Sequence, residues 1–370
     1  MMTRELIQAL AFSAPFVCAL VCLVMLLLDI LITKKNKKEK HLQLFMSVTF
    51  IVIMLTWLGL VFKVAFHSAF VCYFSIFLLT MMLNQILIYC FIHILTTIGR
   101  KDRVSHLHLV VPLLLMTISI VADVTVDLQQ KEAIIYGDGK GNSLFSILYL
   151  LTGVAAIIYY TFYPVLGYLR IRRYRRSIEN YSADSQRNSL NWLVFLQIIS
   201  LILIPVPFTG LLYNADFFSD IIFSVQGSLL AFISYPILCY NLLSDNYVII
   251  SPEDEDMPDN NALEIDPRRF TQYMREKTPY LNPHLRITHV AADLHTNRNY
   301  VSSFINRVYG MNFSRFINRY RLKELHRLRL SPEHKGNTNL ELVLSAGFSS
   351  YRSYLRAKNE ENKANLLKEF

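Results

Sequence analysis

The chain is poor in cysteine, has no enzyme signature and carries no net charge over its first 262 residues. Cys18, Cys22, Cys72, Cys90 and Cys239 all lie in or beside long apolar runs, and no two are spaced as CxxC. That placement argues against a disulfide framework or a zinc site and leaves the thiols as small apolar packing groups. No GxSxG, HExxH, Walker or GxGxxG motif stands in a usable setting, so a nucleophile elbow, a metalloprotease helix and a phosphate cradle are all missing. An enzyme is therefore not expected, nor a metal or other cofactor. A cleavable signal peptide is not expected either, because the first apolar run is too long and lacks a basic flank and a small-residue cleavage site.

What is present is apolar. Hydrophobic residues make up 53% of the chain, and the mean hydropathy is positive, which a water-soluble domain rarely shows. Seven apolar stretches, each near the roughly 20 residues needed to cross a hydrocarbon core, run approximately over 7–32, 43–66, 69–95, 107–123, 143–169, 190–212 and 221–243. The connections after the first, third and fifth carry Lys34, Lys35, Lys37, Lys38, Lys40, Arg100, Lys101, Arg103, Arg170, Arg172, Arg173, Arg175, Arg176 and Arg187. The opposite side has only Arg4, Lys63, Lys131 and Lys140, beside Asp127, Glu132, Asp138, Asp216 and Asp220. By the positive-inside rule the N-terminus is expected outside and, after seven spans, the C-terminus in the cytoplasm.

Polar groups within spans mark the places where a signal would act, since an amide in hydrocarbon faces the bundle interior. Asn84, Gln85, His93, Gln197 and Gln226 are the candidate signal-binding residues, each also readable as interhelical glue, as is Asn241. Pro164, Pro205, Pro207 and Pro236 interrupt helix hydrogen bonding and open space for such a site. Tyr159, Tyr160, Tyr163, Tyr213 and Tyr235 fit a pocket lining or an interfacial belt.

Residues 244–262 turn abruptly acidic and include two prolines, reading as an extended linker with a reach of about 25 Å. Its run Glu253, Asp254, Glu255, Asp256 is a solvated segment or a device that repels anionic lipid. Residues 1–262 balance 18 Lys and Arg against 18 Asp and Glu, whereas residues 263–370 hold 19 against 10. The whole net charge of +9 therefore lies in the C-terminal segment, where a polyanion or an anionic lipid surface would bind.

That segment reads as helices. Asp266 followed by Pro267 is an N-cap with proline at the first helical position, opening a helix to about Lys277. Ile287, Val290, Ala291 and Leu294 form the apolar face of a second helix, and Tyr300, Val301, Phe304, Ile305 and Val308 that of a third, closed by Gly310. A long amphipathic helix follows from Asn312 to about Leu330, and 339–358 repeats helix, turn, helix around Gly347 and Phe348.

With LRITHVAADLHTNRNYVSSFINRVYG, the YGMNFSRFIN junction and AGFSSYRSYLRAK in this order, residues 280–358 resemble the C-terminal DNA-binding domain of AraC/XylS-type regulators. The resemblance implies two helix-turn-helix units, joined by a linker helix, that enter successive major grooves. Carried over, the DNA-binding residues are Asn297, Arg298, Asn299, Ser302, Ser303 and Arg307 in the first unit and Tyr351, Arg352, Leu355 and Arg356 in the second. Asn299, Ser302 and Ser303 take base-facing positions, while Arg298, Arg307, Arg315 and Arg319 are placed for phosphates. Val343 where the family has a small residue, Lys358 where it has a core phenylalanine, and the tail NEENKANLLKEF depart from its pattern in the second unit.

The expectation is thus an all-α chain. A polytopic helical membrane domain of about seven spans (1–243) and an acidic linker (244–262) precede a soluble domain with two helix-turn-helix units (263–370). Its expected partners are the lipid bilayer of a bacterial inner membrane, double-stranded DNA, a small-molecule or protein signal, and a second copy in a homodimer. The alternative is a membrane sensor or transporter-like protein whose C-terminal domain binds another protein.

Overall fold

The computed structural model describes residues 4–97, 104–137, 143–203, 217–248 and 265–366. Outside them lie Arg100, Lys101, Arg103, Asp138, Lys140, Pro205, Pro207, Tyr213, Asp216 and most of the expected linker with its acidic run. Among the described residues all regular structure is helical, apart from one antiparallel bridge between Ser182 and Arg286. The chain divides into two compact units. The first comprises residues 1–96, 103–171 and 191–245, the second residues 97–102, 172–190 and 246–370.

The first unit contains α1 (Arg4–Ile32), α2 (Lys37–Ala65), α3 (His67–Thr96), α4 (Leu107–Thr125), the short α5 (Leu128–Tyr136), most of α6 (Leu144–Ile178), α8 (Asn191–Leu203) and α9 (Phe217–Leu243). Among the described residues six helices are long and apolar enough to cross a membrane: α1, α2, α3, α4, α6 and α9. Large apolar side chains such as Val21, Leu28, Leu114, Ile158 and Leu229 lie exposed along them, an arrangement that suits lipid rather than water. The expected sixth span is represented by the 13 residues of α8, and residues 204–212 fall outside the described residues. Helix α6 continues to Ile178, well past the apolar stretch. Arginine is a good helix former, so the helix runs on through the basic stretch where hydropathy has already fallen.

Packing inside this unit is aromatic. Phe70, Phe74, Phe77 and Met82 of α3 share a core with Phe145 and Leu148 of α6. A Cβ at Gly59 of α2 would lie 2.5 Å from the Phe77 ring, so the glycine sets the approach of α2 to α3. At the end of α1, Lys35 pairs with Asp29 at 2.9 Å and Asp245 at 3.0 Å, and Gln43 Nε2 donates to Asp29 at 2.7 Å. This clasp joins α1, α2 and the residues just after α9.

The second unit is built from α10 (Pro267–Glu276), a 3-10 turn (Pro279–Leu281), α11 (Ile287–Asp293), α12 (Arg298–Tyr309), α13 (Phe313–Leu330), a second 3-10 turn (Pro332–His334), α14 (Asn339–Ser345) and α15 (Tyr351–Leu366). The Asp266 side chain accepts from the Arg268 amide to start α10. Phe313, Phe316 and Ile317 of α13 enter a core with Phe270, Val290, Val301, Phe304 and Ile305, whereas Leu325 and Leu328 enter another with Leu342, Val343, Phe348, Tyr354 and Ala357. One helix thus serves both helix pairs.

Sequence reading assigned residues 170–189 to a basic connection between the fifth and sixth spans. In the structure residues 172–190 form a single stretch of the second unit: the end of α6, the turn Glu179–Asp184 and α7 (Ser185–Asn188). The Ala183 amide donates to Leu285 O at 3.1 Å, the Ile287 amide to Tyr181 O at 2.9 Å and the Ser314 amide to Glu179 O at 2.9 Å. Ala183 is buried in the core of the first helix pair.

Candidate nucleic-acid interface

Helix α12 begins where the Asn297 side chain accepts from the Tyr300 amide at 3.0 Å, leaving Asn297 itself half-buried. Val301, Phe304 and Ile305 turn inward. Asn299, Ser303 and Arg307 are exposed and Ser302 is half-buried, so the outward face at the start of the helix is small and polar. Gly310 ends α12 at φ +65°, a left-handed conformation glycine takes without strain.

Arg298 does not lie on that outward face. It is 6% exposed, with its guanidinium 4.8 Å from the Tyr181 ring centre. The aromatic face of the 172–190 segment offers a partner no sequence pattern reveals, and it replaces the solvent-facing placement expected for a phosphate contact.

Helix α15 starts on a reciprocal serine pair: the Ser353 amide donates to Ser350 Oγ and the Ser350 amide to Ser353 Oγ, each at 3.2 Å. Tyr354 and Ala357 pack inward, while Tyr351, Arg352, Leu355 and Arg356 are exposed. Tyr351 accepts from Asn339 Nδ2 at 3.3 Å. Val343 fits the small core without exposure, and Lys358 stands in solvent, because Phe348, Tyr354 and Ala357 already fill that core. The divergent tail continues α15 as far as Leu366, and its Glu361 bonds Arg319 and lies 3.5 Å from Arg315. These two arginines, expected at phosphates, thereby brace α15 against α13. The Arg319 hydrogen bond, opposed by burial, holds the Glu361 carboxyl below its ordinary 4.5.

Arg356 has two acidic partners, Glu360 at 3.0 Å on its own helix and Glu179 at 3.1 Å on the 172–190 segment. Asn312 Nδ2 donates to the other oxygen of Glu179 at 3.2 Å. Burial, the largest influence, pushes the Glu179 carboxyl above its ordinary value although Arg356 opposes it. The seam around this pair mixes polar side chains, among them Arg175, Asn188, Ser314 and Asn318, with the apolar Ile178 and Ala357.

The segment's other end is held differently. Arg321 is 2% exposed and donates through Nε to Tyr280 O at 2.8 Å, through Nη1 to Ala183 O at 2.9 Å, and through Nη2 to Asn282 O at 2.8 Å. Burial draws its pKa down to about 10, opposed by Asp184, so it stays charged at neutral pH. Asp184 also takes His284 Nδ1 at 2.6 Å. Sequence reasoning missed Glu179, Tyr181, Ala183 and Asp184. The only local trace is ENYSAD, acidic and aromatic, inside a basic stretch.

The candidate signal residues lie in the first unit, where Asn84 and Gln85 both hydrogen-bond Tyr160. Asn84 is buried and donates to Thr56 Oγ1 at 2.9 Å, while Gln85 beside it is half-buried. His93 is buried, 6.3 Å from the Tyr89 ring. Gln197 is buried with its Oε1 3.0 Å from where a Cβ on Gly167 would stand. Gln226 is half-buried, with an interior Oε1 that has no hydrogen-bond partner among the described residues. Among the described residues no group of acidic, histidine and cysteine side chains forms a metal site. No protein-family model, curated protein or solved structure matches this chain.

Proposed function

We propose that the chain is a membrane-anchored one-component transcription regulator of AraC/XylS type. Its bundle of about seven spans senses a signal in a bacterial inner membrane. Its second unit binds duplex DNA in the cytoplasm. The observation that carries this reading is a shared division of faces: in both α12 and α15 one face enters a core, and the opposite face at the helix start is exposed. That face is polar in α12, with Asn299 and Ser303, and basic and aromatic in α15, with Tyr351, Arg352 and Arg356. Entry of a second helix into the major groove requires such a face, and the net positive charge of residues 263–370 supplies attraction for phosphate. The protein-interaction alternative draws on Arg298, which is covered by Tyr181.

Genome-wide mapping of DNA crosslinked to the full-length protein tests the reading. Discrete sites should be recovered and be lost in Arg352→Ala, which is expected to cost about 1–3 kcal/mol on a specific duplex if the side chain reads a base edge. Arg307→Ala should weaken all sequences alike and lower the salt slope by about one. Recovery no better than a charge-matched membrane protein defeats the proposal. Orientation is tested separately: a reporter after Asn246 should work only in its cytoplasmic form and one at Gly139 only in its external form.

A further inference from the structure

We propose that Glu179 is an internal competitor for DNA: it occupies the Arg356 guanidinium of the DNA-facing helix, and binding of a duplex requires that this ion pair be exchanged for one with the nucleic acid. The proposal rests on the DNA-binding reading above and adds to it how the site is regulated.

The 172–190 segment is held in two ways. Around Ala183 the contact is dry and permanent in character. A buried alanine, the bridge between Ser182 and Arg286, and Arg321 donating to Ala183 O at 2.9 Å would all be lost together. Withdrawing that carbonyl would leave a buried charged donor with a missing acceptor, which is costly. Around Glu179 the contact is part-exposed and exchangeable. Its side chain retains 33% exposure and that of Arg356 44%, and such pairs contribute little to stability.

The segment therefore stays docked while the ion pair opens. A carboxylate at 3.1 Å from Nη2 of Arg356 offers the charge of a phosphate oxygen and the acceptor atoms of a guanine edge, so it competes with either for that nitrogen. Glu360 also pairs with Arg356, but it lies on the same helix four residues on and travels with it. Glu179, in contrast, directly follows Ile178, the last residue of α6. Its backbone carbonyl is held by the Ser314 amide at 2.9 Å, so opening the pair is a movement of the Glu179 side chain.

The test uses full-length protein in neutral-lipid nanodiscs and a fluorescent mixed-sequence duplex at low salt. Glu179→Gln should tighten binding by about two- to five-fold, the scale of one half-exposed ion pair. Glu333→Gln, an exposed acid on a 3-10 turn of the same unit, should change it by less. In an Arg356→Ala background Glu179→Gln should do nothing, a coupling that general charge or a folding defect would not produce. Equal gains from Glu179→Gln and Glu333→Gln, or a gain that persists without Arg356, overturn the proposal. A second readout needs no DNA: modification of Arg356 by phenylglyoxal, followed by mass spectrometry, should be faster in Glu179→Gln. If no variant binds DNA while modification accelerates, the function falls and the restraint on Arg356 stands; an unchanged modification rate removes the restraint itself.

Discussion

The guanidinium of Arg321 and the carbonyl of Ala183, 138 residues apart in the chain, meet at 2.9 Å inside the second unit. This hydrogen bond means that residues 263–370 are not the whole of that unit. Residues 261–370 expressed alone should melt at a lower temperature than the same residues fused through a Gly/Ser linker to residues 172–190. In the fusion, Arg321→Met should cost about 3 kcal/mol by stranding buried carbonyls. Equal melting of the two proteins would count against the segment as part of the fold.

Two glycines with left-handed backbones should respond differently to alanine. At Gly347, φ +90°, a Cβ would lie 2.3 Å from Tyr280 O and 2.7 Å from Leu281 Cα. Those are backbone atoms that cannot turn aside, so Gly347→Ala should cost well over 2 kcal/mol in chemical denaturation. At Gly310, φ +65°, a Cβ meets nothing within 4 Å, and Gly310→Ala should cost only the conformational strain of about 1 kcal/mol. Similar losses at both sites would refute this assignment of causes.

Acidification should act on the second unit with two signs. Glu361, held below its ordinary 4.5 mainly by Arg319, contributes stability above that value, lost as pH falls through its folded pKa. Glu179, raised above 4.5 chiefly by burial, carries a cost at neutral pH that is relieved as pH falls towards 4.5. Melting temperature against pH should therefore lose its drop below about 4.5 in Glu361→Gln and its gain just above 4.5 in Glu179→Gln. A profile that either variant leaves unaltered assigns the effect elsewhere.

Asn84→Leu removes an amide from the membrane-type unit together with its bond to Thr56. Insertion should be unchanged, since polar atoms leave hydrocarbon, while transcriptional output should shift if the amide lines a signal site. Normal insertion with unaltered output makes Asn84 a packing residue.

Helix positions were legible wherever the signal was local. Asn312 caps α13, Asp266 caps α10 and Gly310 ends α12, each through side-chain or backbone chemistry confined to a few residues. The end of α6 was not, because hydropathy falls at the first arginines whereas helix propensity does not. Neither was the role of Glu179, Tyr181 and Ala183: their partners Arg356, Arg298 and Arg321 lie more than a hundred residues away, and nothing in the local pattern encodes such pairing. The same blindness hid the burial of Arg298 against Tyr181.

The place of Ala183 also has a consequence for synthesis. A ribosome adds about 5–20 residues each second, so the carbonyl of Ala183 emerges on the order of ten seconds before the arginine that accepts the task of covering it, 138 residues on. Throughout that interval ENYSAD is a half-finished edge, open to proteases and to chaperones. A nonsense mutation anywhere before Arg321 would leave it so for the life of the protein, and truncated products should be degraded even when every apolar span has been made.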